Sequence, residues 1–134
     1  MPTKKSDLSS LTKLGQPSKP SRTLEVFPNH APGELEVTLH CHEFTCICPL
    51  TGQPDFAMIE ITYSPDKHVV ESKAMKLYLE SFRNEGVFHE HLAVEIGKDF
   101  VKFVKPLKVD VAVRFHVRGG IAIDATWRYA KNKR

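Results

Sequence analysis

From residue 35 the chain alternates apolar and polar side chains. Leu35, Val37, Leu39 and Cys41 fall on one side of an extended backbone, and Glu34, Glu36, Thr38 and His40 on the other. Period-two patterning fits a half-buried strand and argues against a helix, whose core positions recur every three to four residues. Residues 57–63 (AMIEITY) read as a second strand, rich in β-branched and aromatic side chains. Residues 109–117 alternate again, Arg118-Gly119-Gly120 makes a tight turn, and residues 121–127 read as a fourth strand. Between the two strand pairs the period changes. Ser72 is placed to cap a helix running to about Asn84, with Met75, Leu79 and Phe82 on one face. A second helix is expected over residues 89–104, with Leu92, Ile96 and Phe100 in register, ended by Pro106. The order β-β-α-α-β-β predicts an α+β fold: a four-stranded antiparallel sheet with both helices on one face. The other face carries His40, His42, Glu60, Thr62, Asp110, Arg114, His116, Asp124 and Thr126. It must face water or a partner subunit.

The chain has 134 residues, enough for one domain with a real core and too few for two. Residues 1–22, rich in Ser, Thr, Pro and Lys, read as a flexible polar lead-in to a single domain over 23–134. Within them Leu8, Leu11 and Leu14 could dock one short turn. The formal net charge of +3 is too small to argue for direct binding of nucleic acid. No apolar run is long enough to span a membrane, and no secretion signal precedes the fold, so a cytoplasmic protein is expected. Three cysteines, Cys41, Cys46 and Cys48, do not make a disulfide framework in a reducing compartment.

Chemistry concentrates in residues 43–56, EFTCICPLTGQPDF. Cys48 stands before Pro49, then comes the turn-forming run Thr51-Gly52-Gln53-Pro54, then Asp55. A thiol and a carboxylate on either side of a sharp loop can converge on one substrate atom. Read from the residues alone, Asp55 is equally well a turn cap or an acid. Cys41 and Cys46 read as small buried hydrophobes. If the segment is extended, Cys46 and Cys48 share a face. No metal site is expected: C-x-C without a second close Cys/His pair is poor zinc spacing.

A second stretch sharpens this. Residues 71–78 read Glu-Ser-Lys-Ala-Met-Lys-Leu-Tyr, followed by SFRN at 81–84, FHE at 88–90 and RGG at 118–120. These motifs resemble the QueF family of NADPH-dependent nitrile reductases, over roughly residues 23–127. Met75 is the one departure from the family's hallmark octet, apolar for apolar, and is expected to face the core. The resemblance implies a tunnelling fold like that of GTP cyclohydrolase I, in a homo-oligomer of two stacked pentameric rings. It implies reduction of 7-cyano-7-deazaguanine to 7-aminomethyl-7-deazaguanine, on the route to the queuosine of tRNA. It makes Cys48 the nucleophile that forms a thioimide and Asp55 the proton donor. His89 and Glu90 become substrate contacts, completed by Val70, Glu71 and Ser72. A carboxylate at 90 suits the N–H edge of a deazaguanine, although Glu90 also reads as an ordinary first-turn acid.

The cofactor NADPH has no GxGxxG to bind here, so discrete cations must hold its phosphates. Lys73, Lys76 and Arg118, with Ser72 and the backbone of Gly119, are the expected contacts. The resemblance also implies pockets shared between subunits, with the Cys48 loop and the hallmark helix meeting across an interface, and Cys48 and Glu90 expected from different chains. Two other functions fit parts of the pattern. One is a pterin- or purine-binding tunnelling-fold enzyme of non-reductive chemistry. The other is a non-enzymatic assembly module in which Cys48 is structural.

Overall fold

A computed structural model describes residues 2–15 and 18–131. A four-stranded antiparallel sheet has the spatial order β2–β3–β5–β6, built from β2 (Val37–Ile47), β3 (Pro54–Ser64), β5 (Lys108–Phe115) and β6 (Asp124–Ala130). Helices α2 (Ser72–Glu80) and α3 (His89–Val104) separate the two hairpins. The expected β-β-α-α-β-β core is present. Around it lie a one-turn helix α1 (Lys5–Leu8) and a small antiparallel pair, β1 (Val26–Pro28) with β4 (His68–Val70). Alternation does not reveal that pair, because three-residue strands are too short to show a period.

The core fills one face of the sheet. Ile59, Ile61 and Tyr63 of β3 and Val109, Val111 and Val113 of β5 are buried against Leu92, Ile96, Phe100 and Val104 of α3. Each such side chain contributes about 1.5–3 kcal/mol on leaving water. Tyr63 meets Phe100 edge to face, with ring centres 4.8 Å apart. Met75 is buried, as expected. The opposite face is polar and carries surface ion pairs, His40 with Glu60 (3.2 Å) and Arg114 with Glu60 (3.7 Å).

Several element boundaries differ from the sequence reading. The first strand begins at Val37 and runs on to Ile47, six residues past Cys41. A bulge between Cys41 and Phe44 shifts its register. Before the bulge Leu39 and Cys41 are half-buried; after it Phe44 and Cys46 point into the core. One inserted residue inverts the phase, so a single alternating template could not follow both halves. The strand stops at Ile47, so Cys46 and Cys48 do not share a strand face. The first long helix ends at Glu80, and Ser81 to Asn84 form turns. The last hairpin is longer at its tip: β5 ends at Phe115 and β6 starts at Asp124, with an Arg118–Ile121 bridge between. Ser72 does not cap α2. Glu71 does, its carboxylate accepting from the backbone N–H of Ala74 (2.8 Å) and of Lys73 (2.9 Å). Glutamate is an uncommon cap, and Ser72 satisfies the usual preference, which is why the sequence misleads by one residue.

At the start of the chain, Asp7 is buried and bonds the ring of His30 (2.7 Å). Arg22 ion-pairs Glu95 (2.7 Å) and Glu85 (2.5 Å), the latter without hydrogen-bond alignment, and its guanidinium lies 3.6 Å over the ring of Phe82. Arg22 thereby fastens the N-terminal segment to the α2–α3 connection.

Candidate active site

The β2–β3 hairpin turn carries Cys48. Its backbone N–H donates to Gln53 (2.8 Å), and its carbonyl accepts from Gly52 (2.9 Å), which closes a tight loop. The Thr51 side chain donates to the Cys48 sulfur, the backbone N–H groups of Thr51 and Leu50 follow, and Arg118 adds a further bond. Together they pull the thiol down to about 7. Hydrogen bonds to a charged form stabilise it, so a large share of Cys48 is thiolate at neutral pH. Its neighbours behave differently. Burial, with Asp55 and Cys48 nearby, pushes the Cys46 thiol up to about 12. Burial also raises Cys41. Only one of the three cysteines is poised as a nucleophile.

Asp55 lies opposite Cys46 in the β2–β3 register and is almost fully buried. Strand β3 aims it inward, beside the N-terminus of α3. Its Oδ2 lies 3.3 Å from Nε2 of His89, and its Oδ1 accepts from the Arg118 guanidinium. Arg118 also donates to Gln53 Oε1 (3.1 Å). The β5–β6 tip thus supplies the second partner of Asp55, and the β2–β3 turn supplies Gln53 to Arg118. The His89 ring stacks flat on Phe115, with centres 3.5 Å apart and planes 6° from parallel. Its buried Nδ1 has no hydrogen-bond partner among the described residues. Glu90 follows on the first turn of α3, exposed and without a polar partner among the described residues. Cys48, Asp55, His89, Glu90 and Arg118 therefore gather at one end of the sheet.

Val70, Glu71 and Ser72 do not join them. The N–H of Val70 donates to the hydroxyl of Tyr63 (3.1 Å). Tyr63 is eight residues along β3 from Asp55, roughly 25 Å at the usual rise of an extended chain. Helix α2 starts at that far end. Much of this second set is already engaged. The Glu71 carboxylate caps the helix, and its N–H donates to the Glu25 carbonyl (2.9 Å). Ser72 is the first helical residue, whose N–H has no acceptor inside the helix. Ser72 and Lys76 line a cavity of about 320 Å³ between α2 and the β2 edge, with Leu39, Phe44 and Met75. Lys76 is exposed and Lys73 half-buried. Cys48 and Glu90 sit at the same end of one chain, whereas the hallmark helix begins at the other.

Thr51, Gln53 and Phe115 also belong to the site. In the sequence Thr51 and Gln53 read only as turn formers, and Phe115 only as one apolar position of a strand. The signal available for Thr51 was its place three residues after the cysteine in a closed turn, where a hydroxyl can fold back. No group of three or more His, Cys, Asp or Glu among the described residues could hold a metal ion. No helix among them is long and apolar enough to cross a membrane.

The chain is similar to known proteins in sequence and in fold. Residues 54–134 match the family model described as QueF-like protein. A protein of Syntrophus aciditrophicus named NADPH-dependent 7-cyano-7-deazaguanine reductase is 52% identical over 126 residues, covering 93% of this chain and 90% of that one. The protein of the same name from Frankia casuarinae is 50% identical, covering 91% and 98%. Among solved structures, the apo archaeosine synthase QueF-Like has a TM-score of 0.65 at 24% identity, covering 69% of this chain and 91% of that one. That likeness bears on the fold alone, and it agrees with the sheet and helices described above. The chain belongs to the QueF-like family.

Proposed function

We propose that this protein is an NADPH-dependent reductase of 7-cyano-7-deazaguanine, yielding 7-aminomethyl-7-deazaguanine through a thioimide on Cys48. The observation that carries the reading is the Cys48 thiol, drawn down to about 7 on a turn that also presents buried Asp55. A nitrile carbon is a weak electrophile. Attack by the Cys48 thiolate forms a C–S bond and pushes one π pair onto nitrogen, which takes a proton. The resulting thioimide accepts hydride more readily, so one hard step becomes easier ones. Asp55 is the acid that serves the nitrogen, with His89 at hydrogen-bond reach to carry protons to it. Glu90, exposed at the start of α3, accepts from the N–H groups of the base. NADPH, when bound, supplies the hydride. Overall one nitrile, two NADPH and two protons give one amine and two NADP⁺.

The donor set suits a dinucleotide phosphate. Lys73, Lys76 and Arg118 provide cations, Ser72 offers an N–H at a helix start, and Gly119 and Gly120 have positive φ with nothing within 4 Å of where a Cβ would stand. A phosphate can approach that backbone closely.

The two sets of site residues, at opposite ends of one sheet, support a shared pocket between copies of this chain. The sheet edges β2 and β6 have no strand partner among the described residues. The Cys48 end bears the exposed apolar side chains Leu50, Phe88, Val117 and Ile121. A contact in which one end meets the other is heterologous, and it closes into a ring when the rotation between neighbouring copies divides a full turn. We take the assembly to be a homo-oligomer of stacked rings in the cytoplasm, where a reactive thiol stays reduced. The direct test is mass spectrometry with the nitrile and no NADPH. A Cys48 adduct should form, be absent in Cys48→Ala and persist in Cys46→Ala. NADPH oxidation should then reach two per nitrile. An adduct on Cys46, or a ratio of one with aldehyde released, would sink the reading.

A further inference from the structure

Between α2 and α3 the chain runs through residues 81–88 without regular helix or strand. This connection nevertheless reaches the Cys48 turn. Glu85 offers its backbone carbonyl to Ile47, the residue before Cys48, and Gly86 bridges to Ile47 in parallel register. An irregular segment has few backbone bonds of its own, so side chains must fix its place. Arg22, far away in sequence, supplies that fixation. Its guanidinium lies 3.6 Å over the ring of Phe82, and its Nε donates to the Ser81 hydroxyl. Its Nη1 reaches Glu95 on α3 at 2.7 Å, and its Nη2 reaches Glu85 at 2.5 Å. Phe82 is buried and tilts against Phe44 of β2, with ring centres 5.9 Å apart. Arg22 therefore stands behind both routes, Glu85 to Ile47 and Phe82 to Phe44, by which the connection meets the end of β2. A planar guanidinium can stack and fork at once, which an ammonium cannot.

We infer that Arg22 is a positioning residue for the reaction: it holds residues 82–86 against the β2–β3 turn and so sets where the Cys48 sulfur stands relative to a bound nitrile. That role for Cys48 rests on the reductase reading above. Arg22 touches neither the thiol nor Asp55, and acts only through the connection. The Arg22 and Glu85 side chains are 33% and 54% exposed. An ion pair so exposed adds little to global stability, and its effect falls on where the connection sits. A small displacement of a nucleophile loses rate steeply. His89 and Glu90, the proposed contacts to the base, begin α3 beyond the connection. Loss of Arg22 should therefore be felt in the rate of attack and not in the affinity for the nitrile.

The test follows nitrile adduct formation at Cys48, without NADPH, by mass spectrometry across nitrile concentration. Arg22→Met keeps an unbranched side chain and removes the charge and the fork. It should lower the saturating rate on the order of tenfold and move half-saturation by less than about twofold. Arg22→Lys, which keeps the charge without the fork, should recover part of the rate. Glu85→Ala, at an exposed side chain, should give a smaller loss of the same kind. Added to Arg22→Met it should cost nothing further, because both changes break one contact. If Arg22→Met does not fold, Arg22→Lys and Glu85→Ala carry the same comparison. Amide hydrogen exchange gives a readout without chemistry: the Ile47 N–H should exchange severalfold faster in Arg22→Met, while the amides of β5 keep wild-type protection. A saturating rate unchanged in all these variants overturns the brace, as do losses that multiply in the double variant or exchange that rises equally in β5. A wild type that forms no adduct, with Ile47 exchange still sensitive to Arg22, overturns only the reductase reading. A wild-type adduct with Ile47 exchange untouched by Arg22→Met overturns only the brace.

Discussion

Gly86 presses against the backbone of Pro49: a Cβ at position 86 would stand 2.9 Å from the Pro49 Cα. The contact lies one residue past the proposed nucleophile. Two hydrogen bonds reinforce it, from Ile47 N–H to the Glu85 carbonyl (3.0 Å) and from Val87 N–H to the Ile47 carbonyl (3.3 Å). The α2–α3 connection therefore braces the Cys48 turn from behind. Gly86→Ala must push Pro49 away, since neither backbone can yield without shifting the turn. Displacements of this kind cost catalysis heavily, about a hundredfold for 1 Å. The expected result is at least a tenfold loss of nitrile adduct formation with a small change in Tm. An unimpaired adduct rate would show that the turn keeps its shape without this brace.

Gly97 answers to packing instead. A Cβ there would come 2.1 Å from the indole of Trp127, because α3 lies flat on β6 at that point. Alanine is the better helix former by roughly 1 kcal/mol, so propensity alone predicts stabilisation. Overpacking costs typically 1–3 kcal/mol and should win. Gly97→Ala is expected to lower Tm, and shortening the neighbour with Trp127→Leu should recover part of the loss when both changes are combined. A raised Tm in the single variant would mean that the indole swings aside freely.

The fold was largely legible because its signals are local. Helix α3 begins and ends where the pattern put it: the apolar register stops at Val104, Lys105 turns left-handed at φ 53°, and Pro106 follows. Strand β3 alternates cleanly because its core-facing residues all meet one layer of helices. The β2 bulge was not legible, since nothing in His42-Glu43 marks an inserted residue. The site was legible as a set of residue types and illegible as an arrangement. The motif names Glu71 and Cys48 together, yet β3 holds them at opposite ends. Arg118 offered a cation beside glycines, and nothing in that tripeptide shows that Asp55 and Gln53 turn it inward.

The acid and the base-binding carboxylate should separate in kinetics. Asp55 is buried and bonded to both His89 and Arg118, whereas Glu90 is exposed and carries neither bond. Asp55→Asn removes the proton donor and should lower kcat by at least a hundredfold with little change in nitrile affinity. Glu90→Gln removes a charged acceptor and should chiefly weaken binding. Isothermal titration of the nitrile into a Cys48→Ala background measures that affinity without chemistry. Equal losses of affinity from the two changes would mean that the roles are exchanged or shared.

Reactivity should follow the thiolate of Cys48. Its thiol titrates at about 7, held down first by the Thr51 side chain. The alkylation rate should therefore rise through neutral pH and level off about a unit above it, below the ordinary thiol range near 8.5. Thr51→Val keeps the shape and removes the donating hydroxyl, so its profile should move to higher pH. The sign is fixed: loss of a bond to the charged form can only raise the midpoint. A Thr51→Val profile that coincides with the wild type would assign the low value to the backbone N–H groups alone.

Complementation tests the shared pocket, and the geometry decides which pairs should work. Cys48, Asp55, His89 and Glu90 belong to one end of the sheet, and Lys76 belongs to the helix that starts at the other. Lys76 is exposed, so Lys76→Glu should fold normally while repelling a phosphate. Mixed with Cys48→Ala under conditions that exchange subunits, it should restore activity, because some pockets then draw an intact Cys48 end from one chain and an intact α2 from the other. With random mixing of equal amounts, a pocket built from two chains has one chance in four of being whole. Cys48→Ala mixed with Glu90→Ala should restore nothing, because one chain carries both residues at the same end of its sheet. Recovery in the second mixture and not the first would reverse the assignment of ends, and a fully active monomer by light scattering would end the shared pocket altogether.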